Sequence, residues 1–383
     1  MERRRFIGAS AAGLLTAGLP QFVFAAQGAD YSRLLVLVEL KGGNDGLNTL
    51  VPFADPAYPR LRPRLALKRE EVLQLDERLG LHPSLAALLP LWQAGELALV
   101  QGVGYPDPNL SHFRSIEIWD TASGSSETLG EGWLARAFAG APVPPHFAAD
   151  GVVVGGQENG PLAGSRSIAF SNPGQFLRRA RLATPLRAAG PAALAHVLKV
   201  EADIVQAANK MAGGAVQLEG FPAGELGNSL RVAAQVLAGG AKVAAIKVSL
   251  NGFDTHQNQP VVHANLLKQF AEAIAAFRQS LSQMDLWDST LLMSYAEFGR
   301  RPAENGSMGT DHGTANLHFV AGGGVKGGLY GEAPRLDQLE NGNVRHVIDF
   351  RSLYATALEG WWGVDAGRAL GGKFAPLDLL RSV

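Results

Sequence analysis

Short apolar runs alternate with longer stretches of helical periodicity along this chain. The runs that predict strands span residues 34–40, 97–100, 152–154, 246–250 and 291–295. The helical patterns span 82–92, 112–119, 192–212, 230–237, 262–284 and 350–362. Asp349 is the predicted N-cap of the last helix. Strands that alternate with helices are typical of a largely parallel sheet, so the pattern predicts an α/β fold.

The domain organisation follows from where this alternation is interrupted. Residues 27–383 are predicted to form a single domain, with an insertion or helical cap inside 121–240, where connections rich in Gly and Pro replace the regular rhythm. The glycine-rich segment 322–328 lacks the Gly-Lys-Ser/Thr ending of a phosphate-binding loop. We therefore expect it to form a turn between strands.

The first 26 residues have the composition of an export signal. Arg3 and Arg4 precede Phe6 and an apolar stretch over 7–19, and small residues near 23–26 offer a cleavage site. This pattern favours a twin-arginine signal, with an ordinary secretory signal or an uncleaved anchor as alternatives. It predicts contact with the twin-arginine translocation machinery and a periplasmic or secreted mature protein. No later apolar run approaches the roughly 20 residues of a membrane span.

Composition excludes several classes of site and partner. The chain is 46% hydrophobic and 18% charged, which suits a protein with a sizeable core. A formal net charge of -1 gives no global field that would attract nucleic acid. The chain has no cysteine, so disulfides and thiolate ligands are excluded. A bound metal would have to be held by oxygen and nitrogen atoms.

Acidic and imidazole side chains recur beyond the predicted strands. Asp45 follows the first strand, Asp254 and His256 follow the strand at 246–250, and Asp311-His312 lies further along the chain. Ligands gather at the carboxyl ends of strands in open α/β sheets, so these residues are predicted to meet and bind metal. The alternatives are that Asp45 is a turn residue and that the Asp311-His312 pair only makes hydrogen bonds within its loop.

Ser111 directly precedes the helical pattern at 112–119. Its hydroxyl is therefore a candidate nucleophile whose target oxygens would be bound by helix N–H groups, and equally a candidate N-cap; both roles are compatible. Arg114 would contact an anionic substrate or pair at the surface. His112 is left open between a metal ligand and a buried hydrogen-bonding residue. A Ser111, His256, Asp311 triad is disfavoured because no Gly-x-Ser-x-Gly elbow surrounds the serine.

Four motifs resemble those of a bacterial family called domain of unknown function 1501. They occupy residues 42–49, 109–115, 252–256 and 297–313, and with the export signal the resemblance covers almost the whole chain. Their order also resembles the wider alkaline phosphatase, sulfatase and phosphoglycerate mutase superfamily. That resemblance implies a three-layer α/β/α fold with an alkaline-phosphatase-like core and two metal ions.

The same resemblance implies roles for individual residues. Ser111 would be the nucleophile, and the metal ligands would be Asp45, Asp254, His256, Asp311 and His312. The superfamily places its first histidine four residues after the aspartate, whereas His256 follows Asp254 by two. The superfamily's last histidine would correspond to His318 or His346.

These observations predict an exported, metal-dependent hydrolase of phosphate or sulfate esters. The expected cofactors are divalent ions, among them zinc, manganese, magnesium or calcium. Predicted contacts to a small anionic ester are Asn44, Asn48, Arg114 and Arg300. The alternative is a non-catalytic periplasmic protein that keeps the fold and binds or assembles another component.

Overall fold

The structure, a computed structural model, describes residues 28–170 and 218–382. The strands in these residues are β1 (Leu34–Lys41), β2 (Leu50–Val51), β3 (Leu73–Gln74), β4 (Gly80–Leu81), β5 (Leu97–Gly104), β6 (Ala149–Val154), β7 (Ser167–Phe170), β8 (Val243–Asn251), β9 (Thr290–Tyr295), β10 (Arg300–Glu304), β11 (Thr310–His312), β12 (Asn316–Ala321), β13 (Gly328–Tyr330) and β14 (Ile348–Asp349).

The α-helices of the same residues are α1 (Ala57–Leu61), α2 (Leu89–Gln93), α3 (His112–Thr121), α4 (Trp133–Gly140), α5 (Glu225–Ala238), α6 (Gln259–Gln283), α7 (Phe350–Ala355) and α8 (Gly367–Leu370). A π-helix, Thr356–Trp361, continues α7. Short 3-10 helices occupy Gly46–Asn48, Arg69–Glu71, Pro83–Leu88 and Gly160–Leu162. None of the described helices combines the length and the apolar character needed to cross a membrane.

The main sheet has the strand order β13-β5-β12-β9-β1-β8-β6-β7, and β14 also pairs with β5. The pairs β1 to β8, β1 to β9, β6 to β8 and β6 to β7 are all parallel. Among the described strands of this sheet, only β12 is antiparallel to both of its neighbours, β5 and β9. The largely parallel sheet expected from the sequence is therefore confirmed. Two small separate sheets are formed by β10 with β11 and by β2, β4 and β3.

Central strand β1 shows why the sheet needs helices on both faces. Residues 34–40 are all buried, as expected for an inner parallel strand. Alternate side chains enter different cores: Val36 and Val38 contribute to one, and Leu35 and Leu37 to the other. Helices α5 and α6 cover the first face, and α3, α4 and α7 cover the second. The three-layer α/β/α arrangement follows.

The described parts of 121–240 differ from the expected insertion or cap. Strands β6 and β7 extend the main sheet, and α5 packs on one of its faces. These parts therefore belong to the core. The helix expected at 192–212 and the export signal at 1–26 lie outside the described residues. The segment 322–328 connects β12 to β13, as expected of a turn between strands.

The helix predicted at 82–92 is divided into two elements. It starts as a 3-10 helix and becomes α2 only at Leu89. Pro90 has no N–H, so it cannot donate a helical hydrogen bond to the preceding turn. Asp349 caps α7 as predicted, because its Oδ1 accepts a hydrogen bond from the Arg351 N–H at 3.0 Å.

Candidate metal centre

The carboxyl ends of β1 and β8 lie side by side in the sheet and form the floor of the candidate site. Lys41 pairs with Asn251, and the N–H of Phe253 donates to the Lys41 carbonyl at 2.9 Å. Gly42 has a φ of +107°, and a Cβ there would clash with the backbone of Asp254. Glycine is thus required where the two chain segments approach each other, and this approach fixes Asp254 at the edge of the sheet.

Three histidines surround the Asp254 carboxylate. Its Oδ1 lies 3.1 Å from His256 Nε2 and 3.1 Å from His312 Nε2, and its Oδ2 lies 3.4 Å from His112 Nε2. The Nε2 atoms of His256 and His312 are 2.9 Å apart. Side chains from α3, from the segment after β8 and from β11 therefore converge here. The ligand atoms of His112, Asp254 and His312 all lie within 4.8 Å of one another.

The other ring nitrogen, Nδ1, faces a hydrogen-bond acceptor in all three imidazoles. His312 Nδ1 lies 2.8 Å from the Leu110 carbonyl oxygen, and His112 Nδ1 lies 2.8 Å from Glu297 Oε1. His256 Nδ1 lies 3.3 Å from Asp311 Oδ1. A carbonyl or carboxylate oxygen only accepts, so Nδ1 carries the proton. The second nitrogen, Nε2, of each ring faces the Asp254 carboxylate. Metal-binding histidines are commonly oriented in this way, by a hydrogen bond from the nitrogen that does not face the metal.

Arg300 holds the Asp254 carboxylate in its charged form. Burial by itself would raise the pKa of Asp254, but the Arg300 hydrogen bond at 2.6 Å and its charge, with His312, lower that pKa to about 2. The Glu297 hydrogen bond raises the pKa of His112, whereas burial lowers the pKa of His312. The centre thus combines a fixed negative charge with imidazoles held by their neighbours.

Ser111 is the N-cap of α3, and its side chain makes no capping hydrogen bond. It is exposed and lies between Leu110, which accepts from His312, and His112. Its backbone N–H is bonded to Asn109 Oδ1 at 2.9 Å. The hydroxyl is therefore at the exposed start of α3, one residue before His112, at the end of the helix where N–H groups point outward.

Asp45 lies apart from this cluster in a buried ion pair. Arg62 donates two hydrogen bonds to its carboxylate, at 2.6 and 3.0 Å, and Gln259 Nε2 and the Leu47 N–H also donate to it. Burial opposes the charged form, but Arg62 lowers the pKa of Asp45 overall. This position differs from the metal-ligand role predicted for Asp45. Asp311 also differs, since its Oδ1 orients His256 and accepts from Asn305 Nδ2 at 3.2 Å.

The four predicted substrate contacts are occupied by bonds within the protein. Their partners are Thr49 and His263 for Asn44; Leu65, Tyr58 and Arg62 for Asn48; three carbonyls over 124–127 for Arg114; and four carbonyls plus Asp254 for Arg300. These side chains have a structural role here, because each is engaged by the protein itself; Arg114 also pairs with Glu117 through Nη1 at 2.9 Å.

Neither candidate for the last histidine ligand belongs to the cluster. His318 is fully buried in β12 and packs against the Trp119 ring at 5.0 Å. His346 packs beside Gly104. The third imidazole is instead His112, which the sequence left open between two roles. Its position directly after Ser111, at the first residue of a helix, is the sequence signal that could have identified it.

Comparison with known proteins identifies a family and several similar structures. A family model described as "Protein of unknown function (DUF1501)" matches residues 32–370. No curated protein matches the chain. A protein in the alkaline phosphatase superfamily from Vibrio parahaemolyticus is 10% identical with a TM-score of 0.36, over 79% of this chain and 63% of that one. The chain thus spans less than two thirds of that protein.

Two further structures are similar to a comparable extent. A phosphonate monoester hydrolase from Silicibacter pomeroyi is 11% identical with a TM-score of 0.39, over 89% of this chain and 76% of that one. The C-terminal periplasmic domain of EcEptC from Escherichia coli, in complex with Zn, is 11% identical with a TM-score of 0.34, over 76% and 72%.

Proposed function

The chain belongs to the DUF1501 family, as its motifs predicted, and from this premise and its site we propose that it is a metal-dependent hydrolase of phosphate or sulfate esters. The observation that carries the proposal is that three imidazole Nε2 atoms face one carboxylate, Asp254, and that one of these imidazoles directly follows the exposed N-cap serine of α3. Each of these groups has a defined task in ester hydrolysis.

The donor set fits a divalent metal ion. Imidazole nitrogens with their second nitrogen hydrogen-bonded, together with a carboxylate, are the common ligands of zinc and similar ions in proteins without cysteine sites. The residues that would hold the ion are His112, Asp254 and His312, whose ligand atoms all lie close together. His256, with Nε2 3.1 Å from Asp254 Oδ1, would supply a fourth ligand. When bound, such an ion stabilises negative charge and lowers the pKa of a nearby hydroxyl.

The protein's own residues supply the remaining functions. The Ser111 hydroxyl is the proposed nucleophile, and the N–H groups at the start of α3 would bind oxygens of the phosphoryl or sulfuryl group. Glu297 and Asp311 keep His112 and His256 in orientation through their Nδ1 atoms.

A non-catalytic binding or assembly protein is the second candidate. The observation that favours it is Phe113, which is 89% exposed immediately after His112. Aromatic side chains are enriched at protein interfaces, so this exposed ring next to the site offers a contact for another molecule. The two candidates differ in whether Ser111 carries chemistry.

The test combines a substrate screen with variants of Ser111. Purified protein with its native metal is assayed against phosphate monoesters, phosphate diesters and sulfate esters. A hydrolase loses turnover in both Ser111→Ala and Ser111→Asp, because neither retains the hydroxyl. Since Ser111 makes no capping bond, Ser111→Ala should cost well below the ~1 kcal/mol of a working cap in thermal unfolding.

The control is Ser126→Ala, an exposed serine away from the cluster, which should keep wild-type turnover and stability. Wild-type turnover in Ser111→Asp would remove Ser111 as the nucleophile. Absence of turnover on every ester class, with metal bound, would favour the binding or assembly protein.

A further inference from the structure

We infer that this centre binds a single transition-metal ion of the zinc type per chain, and that the buried Arg62–Asp45 pair excludes a second ion. The inference rests on the metal centre of the proposed function and not on ester hydrolysis. It differs from the two-ion arrangement that the resemblance to the superfamily implied.

Asp45 has no remaining capacity to bind an ion. Its two carboxylate oxygens accept hydrogen bonds from two nitrogens of Arg62, from Gln259 and from Leu47, which is about the four that a carboxylate can accept. The side chains of Asp45 and Arg62 are both fully buried. A cation at Asp45 would have to displace the guanidinium and leave a buried, unpaired positive charge.

Asp311 does not supply a second centre either. Its Oδ1 is used by His256 and Asn305, and its side chain is 57% exposed. The His256 nitrogen that faces it carries a proton, so it offers no lone pair on that side. A single exposed carboxylate without a nitrogen partner makes a weak site for a zinc-type ion. In the described residues, all convergent donors therefore belong to one group.

The spacing and chemistry of that group define the class of ion. The three Nε2 atoms lie 3.1–3.4 Å from the Asp254 carboxylate oxygens, and those of His256 and His312 are 2.9 Å apart. Ligands bonded to zinc at about 2.0–2.1 Å in a tetrahedron lie roughly 3.3 Å apart. Calcium and magnesium prefer oxygen-rich sites, whereas three nitrogens and one oxygen suit zinc, cobalt or iron.

The decisive measurement is metal stoichiometry on the full-length mature protein. Metal is removed with a chelator, and the protein is titrated with Zn²⁺ by calorimetry and, separately, with Co²⁺ by visible absorption. Elemental analysis follows gel filtration. We expect one ion per chain, and Co²⁺ bands that Zn²⁺ displaces. Two tightly bound ions, or none, would overturn the inference.

Variants assign the ion to the proposed ligands. His112→Ala and His312→Ala should each lower Zn²⁺ affinity at least 100-fold, while Glu297→Gln should lower it about 10- to 100-fold by releasing the His112 ring. The matched control His146→Ala removes an exposed histidine away from the centre and should leave affinity unchanged. Unchanged affinity in His112→Ala, on protein shown to be folded by circular dichroism, would contradict the assignment.

These results separate the inference from the proposed function. One bound ion without ester hydrolysis leaves the single-ion centre standing and removes the hydrolase. Two bound ions together with ester hydrolysis would overturn the single-ion inference and support the hydrolase. Asp45→Asn adds an internal check, because it should leave the count at one ion per chain, although the unpaired Arg62 lowers stability.

Discussion

Histidines of this protein have different environments, and either burial or a hydrogen-bond partner sets the direction of their pKa shifts. Burial lowers the pKa of His82 to about 4 and that of His263 to about 3, so both are neutral in the folded protein. His318, in the core, has its pKa lowered to about 3 by burial, which the backbone of Ser294 only partly offsets. His112, by contrast, has a raised pKa beside Glu297. The three buried histidines therefore lower the stability of the fold at acidic pH.

His318 is predicted to make the fold sensitive to acid. Its folded pKa is below the unfolded value of about 6.5, so between pH 6.5 and 3 the unfolded chain binds more protons and stability falls as pH falls. Between pH 7 and 5, the free energy of unfolding of His318→Leu should fall by about 1–2 kcal/mol less than that of the wild type, measured by urea unfolding. His146→Ala, which removes an exposed histidine, should lose as much as wild type. Equal losses in wild type and His318→Leu would contradict this role.

The sequence indicated part of the site residue by residue. Asp254, His256 and His312 were predicted to meet because they lie beyond strands, and the structure brings them together. The bonding of Asp45 and Arg300 could not be predicted, because their partners lie on other elements that only the folded chain brings to them. Gln259, for example, reaches Asp45 across 214 positions. Only the folded chain shows that these charges are already satisfied.

At the scale of elements, the β10–β11 hairpin carries His312 and positions it against the segment that holds His256. The hairpin is tied to that segment by the Thr310 N–H, which donates to the Thr255 carbonyl at 3.2 Å, and by Asn305 Nδ2, which donates to the His256 carbonyl at 2.9 Å. A Cβ at Gly309 would clash with the backbone of His256. Close contact between the two backbones therefore sets the spacing of the imidazoles.

Two glycines of this hairpin offer a matched test of that contact. Gly309→Ala should lower stability by about 1–3 kcal/mol through overpacking and also weaken Zn²⁺ binding by moving His256. A Cβ at Gly306 meets nothing within 4 Å, so Gly306→Ala should change neither quantity. Thermal unfolding and Zn²⁺ titration of both variants measure the difference. Equal Zn²⁺ affinity in the two variants would show that the hairpin does not position His256.

Elements with strong local signals were the ones predicted correctly. The five apolar runs all form strands of the main sheet, because continuous burial leaves an unmistakable pattern in the sequence. Strand β12 was missed, although it lies between β5 and β9 and runs antiparallel to both. Its direction depends on pairing with strands that are distant in the chain. Local periodicity carries no information about such pairing.

At the scale of the whole molecule, the residues that stabilise the fold are separate from those that form the candidate centre. The two apolar cores hold the sheet, and the candidate centre is built from segments beyond its strands, as is usual for α/β proteins. A preformed site of this kind, together with a chain that has no cysteine, is compatible with transport in the folded, metal-loaded state. This property links the site to the proposed export route.

We propose that residues 1–26 form a twin-arginine signal and that the folded protein is exported. Replacing Arg3 and Arg4 together by lysine should retain the precursor in the cytoplasm, because that route reads the arginine pair. Arg5→Lys keeps the pair and serves as the control, with export unchanged. Fractionation and immunoblotting measure the periplasmic share in cells with and without the twin-arginine machinery. Wild-type export of the double variant, or export in cells lacking that machinery, would assign the segment to the ordinary secretory route, in which the chain crosses unfolded and must acquire its metal afterwards.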